Sequence, residues 1–154
     1  ARLRRMKHEL VLTVQELRRV LTDLEGVTVP RRTFTGWAQS GVLVPSVRWT
    51  GSRNIHERLL YSWRDVARAR LLVRLRAAGL NMGKVRLVFA YLNAYAPDTF
   101  TRTPRTTLVL RGWTVLLVKD GSVQDVPTGQ FVLPLADVFA GSRAAVERAV
   151  RRVA

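Results

Sequence analysis

A chain of 154 residues in which 47% of the side chains are apolar is long enough to bury a core and too apolar for a disordered polymer. Its formal net charge of +15, from 26 basic and 11 acidic side chains, favours a polyanionic partner, because basic side chains neutralise phosphates and release their counterions. The sequence has no cysteine, which excludes disulfides and thiolate metal sites, and its two histidines are far apart. We therefore expect no metal and no other cofactor.

The same composition bears on location and on chemistry. No apolar stretch is long enough to span a bilayer, and the basic N-terminal segment lacks the apolar core of a secretory signal. We expect no membrane partner and a cytoplasmic, nucleoid-associated protein. An enzyme is not expected either, since the sequence offers no nucleophile-base pair, no clustered carboxylates and no phosphate-binding glycine loop.

The positive charge is concentrated in the first part of the chain. Residues 1–95 contain 18 Lys and Arg against 6 Asp and Glu, whereas residues 96–154 contain 8 against 5. Nearly all of the basic residues are Arg, because the only lysines are Lys7, Lys84 and Lys119. Arg grips a phosphate or a guanine with a two-pronged donor, where Lys offers a point charge. The first part is therefore the expected nucleic-acid-binding part.

The first two predicted elements are short helices joined by a turn. The stretch LTVQELRRVL, at residues 12–21, has apolar residues at helical spacing, and Thr13 with Glu16 forms the pattern of a capping box. A second helix, RRTFTGWAQS, is predicted at residues 31–40, and Gly41 is placed to end it. Two short helices joined by a tight turn are typical of the helix-turn-helix motif.

A β-hairpin and two further helices are predicted next. The stretch SVRWTGSRNIHERLLYS, residues 46–62, is apolar or aromatic at both ends around a Gly-Ser-Arg-Asn centre, which indicates a hairpin, or wing, with a long loop. Ser62 then caps a third helix that Gly79 ends, and Asn81 caps a fourth. The apolar stripes that these helices are expected to bury are Val66, Ala69, Leu72 and Leu75 in the third and Val85, Val88, Phe89 and Leu92 in the fourth.

Beyond the fourth helix the composition becomes rich in β-branched residues. Pro97 and Pro104 bracket a predicted linker, and Asp120-Gly121 is a hairpin turn signal in the β-rich segment that follows. A final helix is predicted from Ser142, with an apolar stripe of Val146, Ala149, Val150 and Val153. That stripe is covered either within the chain or by a second copy in a dimer.

Three stretches, in this order, resemble the MerR family of bacterial DNA-binding regulators over roughly residues 11–95. LTVQELRRVL is similar to the opening helix of the family, and RRTFTGWAQSGVLVPS to its recognition helix with a Gly-Leu-Leu-x-Pro exit. YSWRDVARARLLVRLRAAGLNMGKV resembles its Tyr-Ser-x-x-Asp-Val helix, its Leu-Arg-x-x-Gly stop and its next helix. The resemblance implies a winged helix-turn-helix whose second helix enters the major groove while the wing lies along the DNA backbone.

The resulting prediction is an α+β chain in three parts. Residues 1–96 form a MerR-like winged helix-turn-helix domain of four helices and a β-hairpin wing. Residues 97–106 form a linker. Residues 107–154 form a small β-rich segment and a C-terminal helix that serve dimerisation or partner binding.

The resemblance places the DNA contacts on the second helix and in the wing. The early turns of that helix carry side chains that can reach base edges, and Trp37 stands where the family often has an aromatic residue beside a phosphate. The predicted DNA-binding residues are Arg31, Arg32, Thr33, Thr35, Trp37, Arg48, Trp49, Arg53, Asn54, Arg58 and Tyr61. No catalytic and no metal-binding residue is predicted.

The chain departs from the family pattern at three places. Thr35 and Gly36 stand where the family usually has Arg and Tyr. The wing is longer than usual, so that Arg53 or Arg58 takes the place of the family's wing arginine. Pro97 interrupts the long helix that forms the usual dimer seam, and strands follow instead.

Several of the predicted DNA-binding residues also have a structural alternative. Trp37 is equally well explained as a core residue, because large aromatic side chains are most often packed, and Tyr61 as a pillar between the wing and the third helix. Arg31 and Arg32 have a solvated helix start as their alternative. The arginines of the third helix are expected on a solvated face.

The predicted function is a sequence-specific DNA-binding transcriptional regulator that occupies an operator as a homodimer. The alternative is an antitoxin-like protein that binds a protein partner through residues 107–154 and autoregulates its operon. RNA or ribosome binding is a third hypothesis that the charge permits, although the sequence shows no aromatic stacking platform of the RNA-recognition kind.

Overall fold

A computed structural model describes residues 5–6, 9–49, 58–100, 105–112, 114–119 and 131–152. Within these ranges the chain is α+β, with five α-helices, one 3-10 helix and two small antiparallel sheets. The α-helices are α1 (Val14–Glu25), α2 (Arg31–Ser40), α3 (Trp63–Ala77), α4 (Met82–Tyr95) and α5 (Ser142–Arg152), and the 3-10 helix is Leu135–Val138. The strands are β1 (Arg5–Met6), β2 (Glu9–Leu12), β3 (Val47–Trp49), β4 (Arg58–Ser62), β5 (Thr106–Arg111), β6 (Thr114–Lys119) and β7 (Phe131–Pro134).

The predicted side-chain caps start α1 and α4. The Oγ1 of Thr13 accepts a hydrogen bond from the Glu16 N–H at 3.2 Å, and Oε1 of Glu16 accepts one from the Thr13 N–H at 2.9 Å. Oδ1 of Asn81 accepts from the Lys84 N–H at 2.9 Å. These bonds satisfy N–H groups that have no partner inside the helix, so both helix starts are confirmed.

The first sheet contains the predicted hairpin and two strands that were not predicted. Its strand order is β1-β2-β4-β3, and the hairpin is the β3–β4 pair, in which Val47 lies opposite Leu60. Strand β2 pairs with the other side of β4, so that Leu12 lies opposite Tyr61. A short apolar run before a helix cap does not reveal a strand, because the strand that it pairs with is remote in the sequence.

Contacts between residues divide the chain into two compact units, and α3 passes from one to the other. The first unit contains residues 1–70 and 141–154, and the second contains residues 71–140. These units do not coincide with the three predicted parts of the chain. The difference arises at two places: residues 71–96, predicted in the first part, belong to the second unit, and α5, predicted in the third part, belongs to the first unit.

Helix α5 belongs to the first unit, where it packs on α1 and β2. Its apolar residues Val146, Ala149 and Val150 are buried, while the side chain of Val153 lies outside the described residues. Of the two predicted alternatives for the described part of this stripe, cover within the chain is therefore confirmed. An amphipathic helix packs on whichever apolar surface completes its burial, and this one lies on elements that are far away in sequence.

In the second unit, β5 is the central strand of a sheet with the order β6-β5-β7. Arg111 lies opposite Thr114, and Gly112, which follows Arg111, has a φ of +58°. Tight hairpin turns need such a positive φ, which glycine adopts without strain. The predicted turn at Asp120-Gly121 lies outside the described residues.

Helix α4 buries the predicted stripe of Val85, Val88, Phe89 and Leu92. The start of the predicted linker also packs on this helix: the ring of Phe100 stacks on Phe89 with 6.1 Å between centroids. The N–H and Oγ1 of Thr99 donate to the Ala96 carbonyl at 3.0 and 2.6 Å. Residues 97–100 are thus part of the second unit rather than a free connection.

Candidate nucleic-acid interface

Helix α2 separates a buried aromatic face from an exposed polar face. Phe34 and Trp37 are buried, at the spacing of one helical turn. The exposed residues of the helix follow the opposite face and are Arg31, Arg32, Thr35, Gly36 and Gln39, while Thr33 is half-buried. Three of the predicted DNA-binding residues, Arg31, Arg32 and Thr35, therefore share one accessible surface, which we call the α2 face.

The buried side of α2 holds the helix against β4. The ring of Phe34 contacts Trp37 edge-to-face at 5.0 Å and Tyr61 at 6.2 Å between centroids. Trp37 is 6% exposed and Tyr61 is 3% exposed. Burial raises the pKa of the Tyr61 phenol, and the negative charge of Asp65 raises it further, so the phenol stays neutral.

Trp37 and Tyr61 are therefore core residues, and Tyr61 packs on Phe34 of α2 rather than as a pillar between the wing and α3. Aromatic pairs at these distances and angles stabilise a core beyond the area they bury. Contact of either side chain with DNA stays a prediction. The sequence pattern around a large aromatic residue is the same whether its ring lies in a core or beside a phosphate. Only the residues packed against it distinguish these two roles.

The ends of α2 differ in how their backbone groups are satisfied. Gly41, with a φ of +79°, ends the helix as predicted, and the N–H groups of Val42 and Leu43 donate to the Trp37 carbonyl at 3.1 and 3.3 Å. At the start, Pro30 offers no side-chain cap, and no acidic residue lies in the first turn. The positive end of the helix dipole is thus accompanied by two arginines and by no acidic side chain of this turn.

A buried carboxylate fixes the exit from α2 against the start of α3. Oδ2 of Asp65 accepts hydrogen bonds from the Ser46 hydroxyl at 2.6 Å and from the Ser62 N–H at 2.8 Å. The Asp65 N–H donates to Oγ of Ser62 at 3.3 Å, which confirms Ser62 as the cap of α3. Because Ser62 ends β4, this cluster joins the segment after α2 to the hairpin.

Replacing Asp65 by asparagine is expected to change how stability depends on pH. Burial raises the pKa of this carboxyl above its ordinary value of 3.8, and hydrogen bonds from Ser46 and Ser62 oppose the rise. The folded chain thus holds this proton to a higher pH than the unfolded chain does, and its free energy of unfolding falls as pH rises through that pKa. Asparagine keeps an acceptor but does not titrate, so Asp65→Asn should gain stability relative to the parent as pH rises towards neutrality.

Urea denaturation at a series of pH values measures this difference. Ser46→Ala is the matched variant, because it removes a hydrogen bond that lowers the Asp65 pKa and should make the fall with pH larger. A stability difference between Asp65→Asn and the parent that is the same at every pH would contradict the expectation.

The remaining predicted contacts lie in or near the hairpin. Arg48 and Trp49 are in β3, Arg58 is in β4 opposite Trp49, and the side chains of all three lie outside the described residues. Arg53 and Asn54 lie outside them altogether. The structure therefore brings Arg31, Arg32 and Thr35 together on one face and gives backbone positions for three of the hairpin residues.

One polar cluster of the first unit was not predicted. Arg70 was expected on a solvated face of α3, but it is buried, and its Nε donates to Oε1 of Glu25 at 2.9 Å. Its Nη1 donates to Oγ of Ser142 at 3.0 Å, so the guanidinium joins α3 to α1 and α5. Helix α3 is apolar or small at most of its positions, which signals burial on more than one side and hence a buried partner for a charge.

Comparison with models of known protein families and with curated protein sequences finds no match to this chain. Within the residues that the structure describes, no helix is long and apolar enough to cross a membrane. The same residues contain no group of three or more His, Asp or Glu side chains that could hold a metal ion.

Proposed function

We propose that the chain is a sequence-specific DNA-binding transcriptional regulator of the winged helix-turn-helix kind. The observation that carries the proposal is the α2 face, an exposed helical surface with two arginines at an uncapped helix start and no acidic residue. Helix α2 then acts as the recognition helix that enters the major groove. The hairpin β3–β4 acts as the wing.

The electrostatics of α2 support an anionic partner. Cations in the first turn of a helix oppose its dipole, which disfavours Arg31 and Arg32 at this position in the free protein. A phosphate at the same place reverses the sign of the interaction. It attracts the guanidinium groups, and it accepts from N–H groups of a helix start that has no side-chain cap. The net charge of +15 adds a long-range attraction to a duplex.

The packing of α2 supports a fixed relation between helix and wing. Phe34 lies against Tyr61 of β4, and Ser46 and Ser62 share the Asp65 carboxylate. These contacts lie on the buried side of α2 and leave the α2 face accessible. A recognition helix held in this way meets a groove without having to be ordered on binding.

A homodimer that occupies a two-fold symmetric operator completes the proposal. The described part of the α5 stripe is covered within the chain, so the dimer seam is formed by other residues. Sedimentation of the purified chain measures its mass, and a dimer predicts two half-sites separated by about one helical turn of DNA.

Replacing Arg31 or Arg32 by alanine should weaken binding to a selected duplex while the chain stays folded. Loss of a base contact should weaken binding by about 1–3 kcal/mol and relax specificity at one position. Loss of a phosphate contact should instead lower the slope of log affinity against log salt by about 1. Fluorescence anisotropy across a salt series, on duplexes selected from a randomised library, separates the two cases.

The matched control is Arg143→Ala, which removes an exposed arginine of α5 with a side chain 75% exposed. It should leave specificity unchanged. If the parent prefers no duplex to a scrambled one, the proposed function is wrong. If both α2 variants bind as the parent does, Arg31 and Arg32 are not in the interface.

A protein partner is a second candidate, favoured by an exposed apolar residue on an edge strand. Leu116 in β6 is 45% exposed, and β6 ends the described order β6-β5-β7. An edge strand can accept a strand from another chain. An antitoxin-like protein would bind the product of a neighbouring reading frame in this way, and Leu116→Lys should abolish the complex formed with the full chain. Failure of the unaltered chain to bind that product would eliminate this candidate.

A further inference from the structure

Gly36 occupies the middle of the α2 face without any requirement from the rest of the chain. It is exposed, it has no positive φ, and a Cβ added to it would meet nothing within 4 Å. Gly41 differs, because its φ of +79° is the left-handed conformation that ends the helix. Neither a turn nor a close contact within the described residues therefore explains glycine at position 36.

A glycine in a helix interior weakens the helix. Alanine at the same position has a higher helix propensity and leaves the unfolded chain with less conformational entropy. Glycine at position 36 thus lowers the stability of the folded chain, on the same face where Arg31 and Arg32 oppose the helix dipole. Positions that break local rules in this way concentrate where a protein meets a partner.

The residues around Gly36 indicate the shape of that partner. Arg32 lies one turn before it, Gln39 lies one turn after it, and the short side chain of Thr35 is beside it. The side chains of the α2 face are therefore long at both ends of the face and short at its centre. Such a face fits a surface that approaches the helix backbone at Gly36 and accepts hydrogen bonds from Arg32 and Gln39 on either side.

We propose that Gly36 is the point of closest approach between α2 and the duplex, and that it sets how deeply the helix enters the major groove. The inference rests on the proposed function. With only a Cα at this position, the helix axis comes closer to the base-pair edges than any side chain would allow. At this depth Arg32 and Gln39 reach base edges, for which arginine and glutamine have matching donor and acceptor patterns for guanine and adenine.

A volume series at position 36 tests the inference. Gly36→Ala and Gly36→Leu should lower affinity for a duplex selected by the parent, by about tenfold for alanine and by more for leucine, because the added side chain overpacks the contact. The salt dependence should keep its slope, because no phosphate contact loses its charge. The melting temperature of Gly36→Ala should rise by about 2–4 °C, so weaker binding cannot come from unfolding.

The matched control is Ala144→Leu, which adds volume at an exposed position of α5 in the same unit. It should bind the selected duplex as the parent does. If the parent selects no duplex, the proposed function and this inference fall together. If the parent binds and both Gly36 variants bind equally well, or if Gly36→Ala melts at a lower temperature than the parent, the inference alone is overturned.

Discussion

Replacing Arg70 by alanine is expected to lower the free energy of unfolding by about 3–5 kcal/mol. Its guanidinium lies 2.9 Å from Oε1 of Glu25 and 3.0 Å from Oγ of Ser142, and the two charged side chains are only 5% and 9% exposed. The substitution removes the cation that faces Glu25 and leaves that carboxylate in a site that water hardly reaches. Urea denaturation at neutral pH, followed by circular dichroism, measures the loss.

Two further variants separate the ion pair from the loss of side-chain volume. Arg19→Ala removes an exposed arginine of α1, the helix that also carries Glu25, and should change stability by no more than about 0.5 kcal/mol. The double variant Glu25→Leu, Arg70→Met replaces both charges by apolar groups and should recover most of the loss, as buried pairs exchanged for apolar residues often do. If Arg70→Ala were no more harmful than Arg19→Ala, the pair would have no structural role.

Placing a carboxylate in the α5 stripe is the second large expected effect. Val146 is fully buried in the first unit, so Val146→Asp puts a charge into an apolar site and should destabilise the chain by more than about 4 kcal/mol, or prevent folding. Ala144→Asp introduces the same charge into the same helix at an exposed position and should change stability by no more than about 0.5 kcal/mol. Thermal denaturation of the two variants compares them directly.

The same pair of variants distinguishes cover within the chain from a dimer seam. If a second copy covered the stripe, Val146→Asp would give a folded monomer with nearly unchanged circular dichroism. Cover by α1 and β2 predicts instead that the first unit loses stability whatever the oligomeric state. A stable, folded, monomeric Val146→Asp chain would therefore contradict the packing described for α5.

The limits of sequence interpretation are clearest at residues whose surroundings come from remote segments. Arg70 has the spacing of a surface residue on α3, and its burial follows only from where α1 and α5 lie. Tyr61 of β4 likewise owes its core environment to Phe34, which lies 27 residues earlier in the chain and 6.2 Å away between ring centroids. On the α2 face, by contrast, the exposure of Arg31 and Arg32 follows from helical periodicity once the buried side of the helix is known.

The sequence by itself determined the local features of this protein: the helix starts at Thr13, Ser62 and Asn81, the end of α2 at Gly41, and the excess of positive charge in residues 1–95. These depend on side chains a few residues apart and on composition, so tertiary contacts are not needed to read them. Only the tertiary structure decided that β2 joins β4 and that α5 covers the first unit. Strand partners and the cover of an apolar stripe are chosen by the burial they complete, and that choice is made among segments far apart in the chain.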